Sequence, residues 1–294
     1  MSGFSPTDAA LEGVRLSRER PWAILIWTAC YFAFSLVLAA IAHFTLGDKA
    51  QELLAGLQSP SSDTQDFAKV IEQSWPFVAV ALPVALVFQA MFTGAVYRVI
   101  LGAGVRTGAL LRFGVDELRL LALKVLMAAI WTGLLFVGLF TIQTAGIGAS
   151  QVANLLGNIV DLGLVWIGVL VWIRLSLAGP ATFVEHRLMI FRSWPLTHGQ
   201  FWRLLGAYLL AFAIAVVVFL LMLVVLGVPF ELVTKLVGVP LEQVSLPASD
   251  PKIVVIALAS QAITSLIITC YYVTVLAPAA QAYHDLMVKR GVVA

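Results

Sequence analysis

Residues 172–208 read WIRLSLAGPATFVEHRLMIFRSWPLTHGQFWRLLGAY, and this stretch decides how the rest of the chain is interpreted. It is the only long segment in which arginines, histidines, a glutamate and prolines interrupt an otherwise apolar sequence. The segments that it joins, 155–177 and 201–226, are long and apolar enough to cross a bilayer, for which about 20 apolar residues suffice. The stretch therefore predicts a polar hairpin between two transmembrane helices.

Composition places the whole chain in the membrane class. Its 294 residues are 61% hydrophobic and 12% charged, whereas soluble domains are roughly 45–50% apolar and about 25% charged. The apolar residues form repeated long runs rather than the scattered pattern of one soluble core. We therefore expect an all-α polytopic membrane protein, with short interfacial helices in its cytoplasmic elbows and outer loops.

Six segments have the length and hydropathy of transmembrane helices: 22–46, 76–100, 118–144, 155–177, 201–226 and 253–280. The first apolar run, of 25 residues, exceeds the roughly 7–15 residues of a signal-peptide core, so we interpret it as an uncleaved helix. The predicted organisation is a six-helix domain over 22–280, with a basic segment and a tail at its two ends (1–21 and 281–294). Two longer loops, 47–75 and 227–252, lie on the outer side.

Several shorter features are expected in these connections. Ser5-Pro6-Thr7-Asp8 predicts a helix start, which leaves 1–21 either an interfacial helix on anionic headgroups or a loosely ordered basic tail. Short helices are expected at Asp48–Leu57, Asp63–Ser74 and Phe230–Val237. Pro83 predicts a kink in the second helix.

Two features are expected in the hairpin between the fourth and fifth helices. Pro180 and Pro195 bracket a predicted amphipathic turn over Ala181–Phe191, along the inner leaflet. Thr197 and Gln200 have the spacing of a capping box that would start the fifth helix.

The distribution of basic residues predicts the orientation. With six helices both termini lie on one side, and that side carries fourteen of the eighteen lysines and arginines, including every arginine. Positively charged residues are retained in the cytoplasm, so both termini are expected to be cytoplasmic, as in a bacterial inner-membrane protein. The two sets are Arg15, Arg18, Arg20, Arg98, Arg106, Arg112, Arg119, Lys124, Arg174, Arg187, Arg192, Arg203, Lys289 and Arg290, against Lys49, Lys69, Lys235 and Lys252.

The ends of the three inward-running helices look alike. They read TGAVYRVI, LAGPATFVEH and LAPAAQAYHDL, each with small residues followed by an aromatic and a charged residue. Small residues allow helices to approach closely in lipid. The pattern indicates repeated helical hairpins with basic elbows, although small and aromatic residues are also common at helix ends.

The stretch RLSLAGPATFVEHRLMIFRSWPLTHGQFWRLLGAYLL, with the closing AAQAYHDL, resembles bacterial integral-membrane proteins of the glycerophosphoryl diester phosphodiesterase membrane-domain and YciC-like type. The similarity is most specific over about residues 172–210 and covers the membrane part only. In those families the phosphodiesterase chemistry belongs to a separate soluble domain, and these 294 residues contain no counterpart. The resemblance therefore implies a membrane fold and no activity.

Polar residues of the third and fourth helices form one candidate site. Asn154, Asn158 and Asp161 are spaced to share one face of the fourth helix, and Gln143 on the third is the expected partner of Asp161. An ionisable residue in a spanning segment is a functional hypothesis by default. The set either lines a solute pathway or supports interhelical hydrogen bonds.

Basic and imidazole groups of the elbow form a second candidate site. Contacts with anionic lipid headgroups are expected from Arg187, Arg192, Arg203, His186 and His198. The adjacent pairs Glu185-His186 and His284-Asp285 indicate either an acid–base site or polar anchoring at the interface. The same arginines also satisfy the ordinary positive-inside pattern.

The sequence carries no recognisable catalytic, cofactor or metal motif. Cys30 and Cys270 both lie in apolar runs, and no HExxH, Walker or GxSxG pattern occurs. The first functional hypothesis is a non-enzymatic accessory, assembly or membrane-organising protein with no cofactor, which contacts the lipid bilayer and other membrane proteins or itself, and not nucleic acid. The alternative is a transporter or channel for a small or amphipathic solute. An intramembrane lipid enzyme using Glu185, His186 and His198 is a third possibility.

Overall fold

The structure, a computed structural model, describes residues 5–47, 64–101, 111–146, 151–190, 193–197, 199–239 and 250–289. It is 91% helical, and the described residues contain no strand. Six of the helices are long and apolar enough to cross a membrane. The predicted fold class is therefore confirmed.

The described chain folds into ten α-helices, one of which continues into the next through a π-helical turn at Leu223–Gly227. Their bounds are α1 Pro6–Glu19, α2 Pro21–Leu46, α3 Thr64–Leu101, α4 Val115–Gly146, α5 Gln151–Ser176, α6 Ala178–Glu185, α7 Ser193–Thr197, α8 Phe201–Met222, α9 Val228–Leu236 and α10 Pro251–Lys289. The predicted turn of helix at Phe230–Val237 corresponds to α9. The predicted helix at Asp48–Leu57 lies outside the described residues.

Two of the spanning helices extend well beyond their predicted bounds. Helix α3 begins at Thr64, so Pro76 lies inside it, and the predicted separate helix Asp63–Ser74 is largely its first three turns. Helix α10 runs through Pro278 to Lys289, nine residues beyond the predicted end. Pro76 was predicted to begin the second helix, but membrane helices tolerate interior prolines where neighbouring groups satisfy the freed carbonyls.

The buried core lies toward one end of the bundle. We call this the basic end, because Arg98, Arg119, Arg174 and Arg203 lie there, and we call the other the far end. Helix α10 is the central element and packs against α1, α2, α3 and α8. Its last turns contribute Ala282, Tyr283, Leu286 and Met287 to the largest buried cluster, which explains why the helix does not stop at residue 280.

Helix α1 is an integral part of this core. Ala9 and Ala10 are fully buried, and Leu16 is 5% exposed. Gly13 lies directly against α10, where an added Cβ would be 2.5 Å from the Cα of Thr274. The predicted helix start is confirmed, because Pro6 begins α1 and the Ser5 hydroxyl accepts from the Asp8 backbone N–H. The loosely ordered tail is not observed, and the docking of α1 against α8 and α10 was not predicted.

The hairpin that contains residues 178–200 also differs from its prediction. Ala181 and Thr182, the first two residues of the predicted amphipathic turn, are buried within α6, whereas 183–190 are half-buried or exposed. The burial of its first residues was not predicted, and the position of the rest along the inner leaflet stays a prediction. The predicted capping box is wrong, because the N-cap of α8 is Gln200 and makes no side-chain capping bond. The Thr197 hydroxyl instead donates to the Trp194 carbonyl, at 3.0 Å.

Helices α4 and α5 form a hairpin that stands partly apart from the bundle. Helix α5 packs mainly against α4, while α4 also contacts α3 and α6. Large apolar side chains toward the far end of this hairpin are exposed, including Leu135, Phe136, Leu162 and Val165, which are each more than 60% exposed. Such a surface is compatible with lipid or with another apolar helix and not with water.

Candidate functional site: the basic end and the Lys124 pocket

The four residues of the predicted intramembrane polar site lie in the two neighbouring helices that were expected to carry them. Asn154, Asn158 and Asp161 lie in α5, and Gln143 lies one turn before the end of α4. Their side chains lie outside the described part of the structure. Their contact, and the pathway that they would line, therefore stay predictions.

The structure describes three of the five residues that were predicted to contact lipid headgroups. Arg187, Arg203 and His186 are exposed, as headgroup contacts must be, while Arg192 and His198 lie outside the described residues. His186 ends α6 in the left-handed conformation, with a φ of 51°. Its Nδ1 lies 2.8 Å from Oδ1 of Asp116, and the same carboxylate oxygen accepts from Arg119 at 2.5 Å. These contacts join the first turns of α4 to the end of α6.

A buried ion pair joins α3 to α4 at the basic end. The Arg98 guanidinium donates to the Glu117 carboxylate, and the two side chains are 8% and 2% exposed. Arg98 was counted only among the cytoplasmic charges, and Glu117 was not among the predicted site residues. Because the partners are 19 positions apart, no local spacing reveals the pair.

Two glycines make room for this pair. A Cβ added at Gly94 would lie 3.0 Å from Oε1 of Glu117, and one added at Gly114 would lie 2.9 Å from its Oε2. The Glu117 carboxylate is therefore enclosed both by α3 and by the residue that directly precedes α4. Such enclosure removes water from the pair and makes each charge dependent on the other.

The three similar helix ends predicted from sequence meet at one place. Tyr97 of α3 packs edge-on against Phe183 of α6, with ring centroids 6.0 Å apart. A Cβ on Gly179 would lie 2.8 Å from the Tyr97 hydroxyl, and Ala280 of α10 belongs to the same buried cluster as Tyr97. Gly179 of α6 thus makes room for the Tyr97 side chain of α3, and Ala280 brings α10 into the same cluster.

Arg174 anchors the short helix α7. Its Nη1 donates to the Trp194 carbonyl at 3.3 Å and lies 3.4 Å from the Thr197 hydroxyl. Its guanidinium carbon lies 5.3 Å from the centroid of the Trp194 ring, a cation–π geometry. Arg174 was not among the predicted site residues. Its contacts hold the short helix α7 against the end of α5.

A cluster of acidic and imidazole groups lies where α1 meets α10. His284 Nδ1 is 3.7 Å from Asp285 Oδ1, and Asp285 accepts a hydrogen bond from Gln281 at 3.0 Å. Burial raises the pKa of Glu12, and the nearby carboxylates of Glu19 and Asp285 act in the same direction. The predicted His284-Asp285 pair is thus a contact beside the docked helix α1.

Lys124 was counted among the cytoplasmic charges, but it lies within a spanning helix. It follows the first residue of α4 by nine positions, which is roughly 14 Å along the helix axis. A lysine near the centre of a span costs about 2.5–3.5 kcal/mol on insertion scales. Among the described residues it forms no ion pair within 4.0 Å.

Lys124 lines a pocket bounded by α2, α3, α4 and α10. The pocket has a cavity volume of about 60 Å³ and is partly open. Phe34 and Phe88 stack in its wall with centroids 4.0 Å apart. The full lining is Tyr31, Phe34, Ala85, Phe88, Gln89, Phe92, Thr93, Lys124, Tyr272 and Leu276.

The described residues contain no group of three or more histidines, cysteines, aspartates or glutamates that could hold a metal ion. No family model, curated protein or solved structure matches the chain. The functional interpretation therefore depends on the geometry above.

Proposed function

We propose that this chain is a non-enzymatic integral membrane protein that contacts lipids and another transmembrane helix, as an accessory or membrane-organising subunit. The observation that carries the proposal is an exposed apolar stripe with small residues at its centre, on the hairpin that stands apart from the bundle. Lipid alone can cover such a surface. The small residues favour a partner helix over lipid as the cover for this surface, because they let two helix backbones approach closely.

The stripe runs along α4. It consists of Val125, Ala129, Thr132, Gly133 and Phe136, all of them exposed. Positions separated by three, four, seven or eight residues share one face of a helix, so these side chains form one continuous surface. Ala129 and Gly133 are spaced as small-xxx-small, and a Cβ added at Gly133 would meet nothing within 4 Å.

The stripe faces away from the neighbour of α4 in the hairpin. Trp131 points to α5, where its ring would lie 3.1 Å from a Cβ on Gly168. Gly133 is two residues farther along, which rotates it about 200° from Trp131 at 3.6 residues per turn. A partner helix would therefore approach α4 from the side opposite α5.

Replacing Gly133 with leucine is expected to weaken association with the partner helix by about 1–3 kcal/mol, because the larger side chain overfills a close backbone contact. The measurement is the fraction of tagged chain found in a larger complex after gentle extraction from native membranes. Crosslinking through a cysteine at Ala129, with Cys30 and Cys270 changed to alanine, distinguishes a second copy from a different protein.

Gly206→Leu is the matched control, because Gly206 is an exposed glycine on α8 that also has open space around it. It is expected to leave the complex intact. A chain that runs as a monomer in mild detergent, with no crosslink at Ala129, would contradict the proposed helix contact.

We also propose that the basic end faces the cytoplasm of a bacterial inner membrane. The support is the positive-inside count, together with the position of Arg98, Arg119, Arg174 and Arg203 at one end of the bundle. Single cysteines at exposed Arg203 and Lys252 are expected to react with an impermeant thiol reagent from opposite sides, Lys252 from the periplasm. Labelling of both from one side would refute this topology.

The proposed membership of the glycerophosphoryl diester phosphodiesterase membrane-domain and YciC-like group agrees with a non-enzymatic role. It rests on residues 172–210, and it assigns no substrate. Contacts of Arg187, Arg203 and His186 with anionic headgroups belong to the same proposal, because these exposed groups surround an elbow at the basic end.

A further inference from the structure

We infer that the Lys124 pocket binds the acidic group of a single-chain amphiphile, a carboxylate or phosphate carried on an apolar chain. The inference does not depend on the helix contact proposed above, because Lys124 faces α2, α3 and α10 while the stripe lies elsewhere on α4. It identifies a ligand class from the lining of one pocket.

Lys124 differs from the cations around it in having no acidic partner among the described residues. Arg98 pairs with Glu117, and Arg119 pairs with Asp116. Lys124 lies deeper in the span, and within the described part of the chain no carboxylate is near enough to form an ion pair with it. A cation held at this depth is stabilised by an anion that arrives from outside the chain.

The polar part of the pocket lining is small. Thr93 is 3% exposed, and its hydroxyl donates to the Gln89 carbonyl at 2.7 Å. Gln89 and Thr93 are one turn apart on α3, and both line the pocket together with Lys124. One ammonium and a few neutral polar groups suit a single anionic headgroup better than a zwitterion.

The remaining wall is aromatic. Tyr31, Phe34, Phe88, Phe92 and Tyr272 contact one another with ring centroids 4.0–6.3 Å apart. A freely soluble anion would gain little from these rings, whereas the first carbons of an acyl chain would pack against them. The wall therefore favours an acid that carries an apolar chain.

The dimensions agree with partial entry of such a ligand. The cavity volume of about 60 Å³ holds about two water molecules, at about 30 Å³ of liquid volume each. This is room for an acidic group and not for a whole lipid. Because the pocket is partly open, the chain of the ligand would leave it along the apolar surfaces of the helices.

The test measures binding of radiolabelled oleate to the purified full chain in detergent micelles. Lys124→Met is expected to weaken oleate binding about tenfold or more, as loss of a charge-assisted contact does. Lys124→Arg, which keeps the charge, is expected to bind within about threefold of the unchanged chain, since the guanidinium also donates to carboxylates. Arg18→Met, at an exposed arginine of α1 that does not line the pocket, is expected to change nothing.

Measurements with further ligands make the test decisive. Oleyl alcohol, which has the chain without the acid, should bind at least about tenfold more weakly than oleate if Lys124 binds the negative charge of the carboxylate. Equal binding of the two ligands, unchanged oleate binding in Lys124→Met, or no saturable binding by the unchanged chain would overturn the inference. Lysophosphatidic acid in competition separates a phosphate headgroup from a carboxylate, and displacement of oleate by inorganic phosphate alone would overturn the requirement for an apolar chain.

Failure to fold is not the expected result for Lys124→Met. The substitution removes a cation from a membrane span and keeps a side chain of similar length, so the variant should retain its elution volume in size-exclusion chromatography. The Lys124→Arg and oleyl alcohol measurements test the inference even if this variant is lost.

Discussion

Replacing Arg98 with methionine is expected to lower the free energy of unfolding by about 3–5 kcal/mol, the range observed when one partner of a buried ion pair is removed. The remaining partner, Glu117, is 2% exposed and enclosed by Gly94 and Gly114. Its carboxylate would stay buried without its cation. The measurement is unfolding of the purified chain in mixed micelles by added SDS, followed by tryptophan fluorescence.

Two variants make this expectation specific. Arg119→Met removes the cation of a more exposed pair, since Arg119 and Asp116 are 30% and 26% exposed, and it is expected to cost less than about 1 kcal/mol. The double variant Arg98→Met, Glu117→Met is expected to recover most of the lost stability, because two apolar side chains need no charge partner. Equal effects of Arg98→Met and Arg119→Met would contradict the importance of burial.

Gly13→Ala is expected to detach α1 from α10 and to lower the free energy of unfolding by about 1–3 kcal/mol, as overpacking of a core does. The added Cβ would lie 2.5 Å from the Thr274 Cα and 3.0 Å from the Thr274 nitrogen and the Val273 carbonyl oxygen. All three are backbone atoms, so no side chain can rotate to make room. Distances between spin labels on exposed Arg18 and Lys252 would record the detachment.

The sign of this effect is informative. In an isolated helix, glycine to alanine is stabilising by about 1 kcal/mol, because alanine has the higher helix propensity. A helix that merely lay on headgroups would therefore gain stability from Gly13→Ala, whereas the docked helix loses it. Gly206→Ala is the control, because nothing lies within 4 Å of a Cβ at that position, and it should show the stabilising effect only.

These two contacts show what the basic end does in the molecule. The buried pair joins α3 to α4, and Gly13 allows α1 to reach the backbone of α10. The apolar clusters converge on the same end, while the far part of the α4–α5 hairpin keeps its apolar side chains exposed. The arrangement gives one closely packed end and one end whose apolar side chains are exposed to lipid or a partner, which is the basis of the proposed function.

Hydropathy and length were sufficient to predict the fold class and the number of spanning helices. Both are local properties, because twenty apolar residues can cross a bilayer whatever their neighbours are. The bounds were less predictable. Pro76 was predicted to begin a helix, yet it lies inside α3, because the surrounding structure decides whether an interior proline is tolerated.

The repeat predicted from the three similar helix ends stays a prediction, and the place where these ends meet depended on the fold. From sequence they were elbows at a membrane surface. In the structure, Tyr97, Gly179 and Ala280 bring them together within the core. A small residue shows only that close approach is possible, and the position of the approaching partner is a property of the tertiary structure.

The sequence by itself determined the membrane class, the six spans and the uneven distribution of charge, because each follows from residues that are neighbours in the chain. Only the tertiary structure decided which charges are buried in pairs and which charge lines a pocket. Arg98 and Glu117 are separated by an elbow, and Lys124 meets aromatic side chains from α2, α3 and α10. Contacts between residues far apart in sequence depend on how the helices pack, and local periodicity carries no record of that packing.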